Sequence, residues 1–294
     1  MNPTTPLPAR LKVWAQYALP HHLLSRIVFR ITRWGWRPWK NLLIHLFIRR
    51  FQVDMTEAAT QTPASFASFN DFFTRALKDG ARSIAGPGDA LVSPVDGVVS
   101  QVGGIQGGRI IQAKGMWYSV LDLVGDADDA GPFAEGRFAT LYLAPRNYHR
   151  VHLPVAGRLM WMRYIPGRLF SVSPAATAGI ARLFARNDRI VCRFDTGCGP
   201  MIVCMVGALF VGSMDTVWHG RVTPSASRAP AKYDYRNLKD PLAFAKGAEL
   251  GRFNMGSTVI LLFGRDAVEW EAGLAAGVTV KMGERIGTIQ RTRI

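Results

Sequence analysis

The 294-residue sequence predicts an α+β fold: a compact, mainly antiparallel β core, sandwich-like or barrel-like, behind an N-terminal amphipathic helical region. Three observations carry this expectation. Residues 1–53 space their apolar side chains with a helical period. From Leu91 onward, short β-rich runs alternate with Gly and Pro. The charge divides the same way: no Asp or Glu precedes Asp54, whereas Arg10, Lys12, Arg26, Arg30, Arg33, Arg37, Lys40, Arg49 and Arg50 all do.

Taken in order, the first helical stretch is LLSRIVFRITRW, where Leu24, Ile27, Val28 and Ile31 share one face and Arg26, Arg30 and Arg33 lie elsewhere. Pro38 interrupts it. A second helix follows with Trp39, Leu42, Leu43, Leu46 and Phe47 on one stripe, and Arg49–Arg50 at the C-terminal end, where cations suit the helix dipole. Trp34, Trp36 and Trp39 cluster between the two. An apolar stripe, flanking cations and interfacial Trp describe helices that lie in a membrane surface. Residues 54–90 read as a connector in which Ser68, Asn70 or Asp71 caps a short helix through Phe72–Leu77. The remainder, 91–294, reads as strands: LVSPVDGVVSQVGG, RIIQAKG, FATLYLAP, RIVCRFDTG, MIVCMVGALFVG, STVILLF and VKMGERIGTI, interrupted by a helical insert near Pro174–Phe184.

Composition narrows the function classes. A hydrophobic fraction of 48% excludes a disordered polyelectrolyte. The net charge of +15 implies an anionic partner, either nucleic acid or a membrane surface. The cations are interleaved with Leu, Ile and Trp on helical spacing, and no nucleic-acid-binding motif accompanies them, so the membrane is the expected partner and nucleic acid is not. Cys192, Cys198 and Cys204 match no zinc spacing and read as reduced thiols of a cytosolic compartment. The start MNPTTPLPAR lacks a signal peptide's pattern, and no run reaches the ~18 apolar residues of a bilayer span. A peripheral protein on the cytoplasmic side of the cell membrane is expected.

Four stretches carry candidate chemistry. Ser93-Pro94-Val95-Asp96-Gly97 places a carboxylate at a turn, ordinary chemistry taken alone. Tyr148-His149-Arg150-Val151-His152-Leu153-Pro154 holds two histidines three apart; on an extended chain they point to opposite faces, which disfavours joint metal ligation and suits two separate jobs. Pro166-Gly167-Arg168-Leu169-Phe170-Ser171-Val172, with Leu183–Arg189 after it, is dense enough in Arg and Ser to hold a phosphate or carboxylate. Met255-Gly256-Ser257-Thr258 precedes an apolar strand; Gly256 has no side chain near its own carbonyl, which leaves that carbonyl open to the neighbouring hydroxyl.

In this order, SPVDG, YHRVHLP, PGRLFSV, LFARNDR and MGST resemble the phosphatidylserine decarboxylase family of the bacterial type. The resemblance extends over roughly residues 65–290, through FNDFFTRALKDGARSI and KMGERIGTI. It departs at Met255, where the family's processing motif has Leu, a volume-conserving swap. The resemblance implies an enzyme that cuts itself once, between Gly256 and Ser257. Asp96 orients His152, His152 takes the Ser257 hydroxyl proton, and the Ser257 oxygen attacks the Gly256 carbonyl. Elimination and hydrolysis then leave Ser257 as a covalent pyruvoyl group, the cofactor, at the head of an α chain of residues 257–294. A β chain of residues 1–256 is expected to stay tightly associated with it, and the processed units to pair as a homodimer.

The resemblance further implies a Schiff base between the pyruvoyl group and the serine amine of phosphatidylserine, loss of CO2, and release of phosphatidylethanolamine. His149 is expected to move the proton in that step. Arg168 and Ser171 are expected at the lipid headgroup, and no metal is expected. Two other readings start from the same residues: a membrane-associated Ser-His-Asp hydrolase, disfavoured because Gly256-Ser257 is no G-x-S-x-G elbow, and a pyruvoyl decarboxylase of another amino-acid substrate.

Overall fold

The computed structural model describes residues 7–86, 88–210, 213–224 and 229–290, the side chains of residues 7–12 excepted. Of the positions singled out above, the Arg10 and Lys12 side chains and both chain ends therefore lie outside the described residues.

Three helices open the chain, one more than the periodicity predicted: α1 (Leu7–Ala18), α2 (His21–Arg33) and α3 (Arg37–Phe51). Pro38 separates α2 from α3 by starting the latter, since a proline in the first helical turn lacks only an N–H that the helix leaves unpaired anyway. At the other end, Gln52 adopts a left-handed conformation and its N–H returns to the Ile48 carbonyl. The connector helix α4 (Phe69–Phe73) sits earlier than expected. Ser68 caps it by accepting from the Asp71 N–H. It stops short of Leu77 because the chain beyond Thr74 is extended and bridges the 57–59 segment: Ala59 N–H bonds the Ala76 carbonyl, and Lys78 N–H the Glu57 carbonyl.

From residue 90 the chain runs β1 (Ala90–Val92), β2 (Gly97–Gly104), β3 (Arg109–Ala113), β4 (Met116–Ser119), α5 (Val120–Val124), α6 (Ala127–Ala130), β5 (Arg137–Leu143), β6 (Arg150–His152) and β7 (Gly157–Ile165). The predicted helical insert is the pair α7 (Pro174–Gly179) and α8 (Leu183–Arg186). Then come β8 (Arg189–Thr196), β9 (Gly199–Val206), β10 (Met214–Thr216), β11 (Gly220–Thr223), β12 (Ala231–Asp234), β13 (Ala243–Phe244), β14 (Glu249–Phe253), β15 (Ser257–Phe263), β16 (Val268–Trp270), β17 (Thr279–Val280) and β18 (Arg285–Ile289).

All named strand pairs are antiparallel. The large sheet runs β12-β7-β8-β9-β15-β5-β2-β17, with β13 against β7; a smaller one runs β11-β10-β14-β6, and a third β1-β18-β16. The large sheet ends at β12 and β17 and is open, so the barrel-like option does not apply and a layered β core does. Its central strand is β15. Every residue of β15 is buried, which is why STVILLF reads as an unbroken apolar run instead of an alternation.

A second apolar cluster joins the N-terminal region to this core. Ile44, Val53, Phe66, Phe69, Phe72 and Phe73 form it, with Phe47, Phe51 and Met255 packed against it. Leu43 and Phe47 of α3 turn inward to this cluster, whereas Leu42 and Leu46 stay exposed. Helix α2 is inverted relative to a helix that docks by its apolar face. His21, Ser25 and Thr32 are the buried residues, while Leu23, Ile27 and Ile31 are 56%, 44% and 39% exposed. Among the described residues, no helix is long and apolar enough to cross a membrane.

Candidate active site

Strand β14 belongs to the smaller sheet and β15 to the large one, so the chain must turn a corner between Phe253 and Ser257. Asn254, Met255 and Gly256 make that corner. Met255 has φ 147°, a conformation that side-chain-bearing residues rarely adopt and that costs about 1–3 kcal/mol. One residue beyond the corner, the Ser257 Oγ is fully buried without a hydrogen-bond partner. Leaving a buried hydroxyl unpaired costs a further ~1–3 kcal/mol. Strain and an unsatisfied hydroxyl two residues apart make this corner the candidate site.

Gly256 is not demanded by packing. A Cβ added there would meet only the Leu143 carbonyl oxygen, at an ordinary 3.7 Å. A cavity of about 210 Å³ opens beside it, lined by Phe47, Phe51, Phe73, Ser171, Met255 and Gly256 among others. The cavity is mostly apolar and reaches α3 through Phe47 and Phe51.

The antiparallel register brings both histidines alongside β14. The Phe253 N–H bonds the His149 carbonyl, and His152 sits opposite Glu249, so His149 is nearer the corner along the strand. His149 is fully buried and its ring stacks on Phe73 at 4.1 Å between centroids. Its Nε2 donates to the Pro145 carbonyl at 3.3 Å, which leaves Nδ1 as the basic nitrogen, buried and unpartnered. Burial pushes its pKa down to about 3, so the ring is a neutral base at physiological pH.

His152 has different surroundings, in line with two histidines on different faces. Its Nδ1 donates to the Gly247 carbonyl at 2.8 Å, and its Nε2 accepts from the Tyr148 hydroxyl at 3.0 Å. Burial lowers its pKa; the Gly247 carbonyl and the nearby Glu249 and Asp96 carboxylates oppose that shift. Asp96 lies close because the SPVDG turn packs on β6, with the His152 N–H bonding the Pro94 carbonyl.

The Asp96 carboxylate makes no hydrogen bond to His152. It is gripped by Arg82, whose Nε reaches Oδ1 at 3.0 Å and Nη2 reaches Oδ2 at 2.5 Å, and it accepts the Met282 N–H at 2.8 Å. Arg82 also bonds Glu57 at 2.6 Å, which holds the Glu57 pKa down to about 2. Ser257 Oγ likewise bonds neither histidine. In the uncut chain the structure thus gathers Asp96, His152 and His149 around the strands that lead to Ser257, without closing them into a hydrogen-bonded relay.

Of the two expected headgroup residues, Ser171 lines the cavity beside Gly256. Arg168 does not. It lies in a separate cleft against His21 and His22 at the start of α2, and its Nη1 donates to the Tyr17 carbonyl at 3.2 Å. Sequence reasoning passed over Arg82, Tyr148, Phe73 and Asn254. Only Tyr148 carried a signal, since four residues separate it from His152 within one short motif; Arg82 and Phe73 reach the site from the connector by tertiary packing.

A profile of the phosphatidylserine decarboxylase family matches residues 69–288, three quarters of the chain and the stretch that holds Asp96, His149, His152 and Ser257. The chain belongs to the phosphatidylserine decarboxylase family. A second family profile, described as PSD, matches the helical residues 11–52. Curated relatives named phosphatidylserine decarboxylase proenzyme are similar over nearly the whole chain. That of Methylococcus capsulatus is 50% identical, covering 96% of this chain and 98% of its own. That of Ectopseudomonas mendocina is 50% identical, covering 96% and 99%. That of Pseudomonas aeruginosa is 51% identical, covering 94% and 96%.

Proposed function

We propose that this chain is a phosphatidylserine decarboxylase made as a proenzyme, which cuts itself between Gly256 and Ser257 and then converts phosphatidylserine to phosphatidylethanolamine and CO2. The observation that carries this reading is the corner itself: a strained Met255, a Gly256 that packing does not require and a partnerless buried Ser257 hydroxyl in immediate succession.

In the cut, the Ser257 Oγ forms a bond to the Gly256 carbonyl carbon as its proton passes to a base, and the Gly256–Ser257 C–N bond breaks with protonation of the leaving nitrogen. The amide becomes an ester. Removal of the Ser257 α-proton then expels the Gly256 carboxylate from Cβ, and water releases the nitrogen as ammonia. Asp96 and His152 are proposed as the relay for the first proton. Asp96 acts on His152 through its charge, and Arg82 fixes where that charge lies. A second reading makes His149 the base for the cut, because its Nδ1 is free and it borders Phe253; otherwise His149 serves the later proton transfer. Ser257→Ala, His152→Ala and Asp96→Asn are expected to remain single chains. A cut His149→Ala chain with little decarboxylation supports the first assignment, and an uncut one the second.

A pyruvoyl group at position 257 supplies an electrophilic carbonyl that takes up an amine and withdraws electrons as CO2 leaves. The residues present fit it: Ser257 Oγ has no hydrogen bond to lose, and the adjoining cavity is mostly apolar. Ser171 reaches that cavity and is the better placed of the two headgroup candidates; Arg168 would act from the α2 cleft.

The N-terminal helices are proposed to dock on an anionic bilayer at the cytoplasmic face of the cell membrane. In support, α2 buries His21, Ser25 and Thr32 and exposes Leu23, Ile27 and Ile31 beside exposed Arg26 and Arg30, and Trp34 and Trp36 are 55% and 56% exposed. Purified protein mixed with phosphatidylserine vesicles should release CO2 and form phosphatidylethanolamine, and Ser257→Ala should abolish both. Activity on free serine with none on the lipid would overturn the substrate.

A further inference from the structure

We propose that the N-terminal helices build the corner that is cut, with Asn254 as the positioning residue through which they do so; this rests on the self-cleavage reading above. Asn254 is buried and its amide is saturated on both sides. Its Oδ1 accepts from Asn70 Nδ2 of α4 at 2.9 Å. Its Nδ2 donates to Ser213 Oγ at 2.6 Å and to Asp215 Oδ2 at 3.0 Å. The Ser213 hydroxyl is in turn held from α2, by Arg33 Nη2 at 3.0 Å. The Asn254 N–H also bonds the Ser213 carbonyl at 2.9 Å. Next in the chain, the Met255 side chain packs against the α3–α4 apolar cluster, and Phe47 and Phe51 of α3 line the cavity beside Gly256.

All three elements α2, α3 and α4 therefore grip the two residues that precede Gly256. A backbone at φ 147° persists only where its surroundings over-determine it, and here the helical segment supplies them together with Ser213 and Asp215 beside it. Holding the two residues before the Gly256 carbonyl fixes its angle to the Ser257 hydroxyl. Attack within one chain is fast only at close, aligned geometry, so loosening this grip lets the corner relax and slows the cut. The helices that face outward with their apolar stripe thus have a second task on their inner side.

The test is a time course of self-cleavage of freshly synthesised full-length chain, followed on denaturing gels beside thermal unfolding. Asn254→Ala should slow the cut about ten-fold or more, the rate equivalent of one lost hydrogen-bonding group in a positioned site. Asn70→Ala and Arg33→Ala, half-buried and therefore tolerant of substitution, should slow it about three-fold or more with the melting temperature little changed. The Asn70→Ala/Asn254→Ala pair should cut no more slowly than Asn254→Ala alone, because both act through one amide. Wild-type rates in Asn254→Ala and Asn70→Ala would overturn the proposal. So would slowing that adds across the pair and tracks a falling melting temperature, the signature of general destabilisation. A wild-type chain that is never cut at Gly256–Ser257 would instead defeat the self-cleavage reading, which separates the two failures.

Discussion

In the proposed self-cleavage Ser257 and Gly256 divide one requirement between them: a buried hydroxyl without a competing partner, and a residue with no side chain beside the carbonyl it attacks. Gly256→Ala tests the second half. The added methyl meets only an ordinary contact, so folding stability should change by no more than about 0.5 kcal/mol, while self-cleavage slows. Gel time courses beside urea titrations measure both; a variant cut at the wild-type rate would show that the glycine serves no chemical purpose. His149 makes a prediction about pH. Its folded pKa of about 3 lies below the unfolded value of ~6.5, so the unfolded chain takes up the proton first. The stability this neutral ring contributes is fully present above pH ~6.5 and is lost progressively as pH falls towards 3, by about 2 kcal/mol at pH ~5. His152 and His21, both lowered by burial, shift in the same direction. Urea midpoints at pH 7 and 5 should show the loss, and His149→Gln should show less of it. An equal slope in wild type and variant would exclude His149 as the source.

At the scale of elements, much of the β core was legible because it repeats local rules. STVILLF, RIVCRFDTG and FATLYLAP appear as β15, β8 and β5, and the insert after Pro174 as two short helices. The Ser68 cap was legible too, but the end of α4 was not, since it is set by pairing with residues 57–59. Amphipathic spacing located α2 without telling which side faces the protein. Its buried face is polar, and only the tertiary structure shows it. That inversion predicts the effect of Leu23→Asp with Ile27→Asp. Both side chains are exposed, so folding should be unaffected, while each apolar side chain removed from a bilayer contact forfeits about 1.5–3 kcal/mol. Co-sedimentation with phosphatidylserine-containing vesicles should fall at least ten-fold. Unchanged sedimentation would place the membrane contact elsewhere.

Over the whole molecule, the +15 charge and its concentration before Asp54 pointed to a docking segment, but not to the grip that segment has on the corner beside Gly256. Nor could spacing reveal Arg82, which joins the connector to Asp96 and Glu57 across the fold. Contacts across the fold also predict what a cut at Gly256–Ser257 would leave. Strand β15 stays paired with β5 on one side and β9 on the other; β18 pairs with β1; Lys281 meets Glu57 at 3.1 Å, and Met282 N–H meets Asp96. Residues 257–294 should therefore co-elute with residues 1–256 on gel filtration in native buffer and separate only under denaturing conditions. A free C-terminal fragment in native buffer would contradict this.

Self-cleavage would make Ser257 the head of a new chain, and intact-mass analysis of the purified protein reads that directly. Two masses are expected: residues 1–256 with a free C-terminus, and a fragment of residues 257–294 whose first residue is a pyruvoyl group, blocked to Edman degradation. A single full-length mass in protein that decarboxylates phosphatidylserine, or a cut fragment that begins with an unmodified serine, would contradict it.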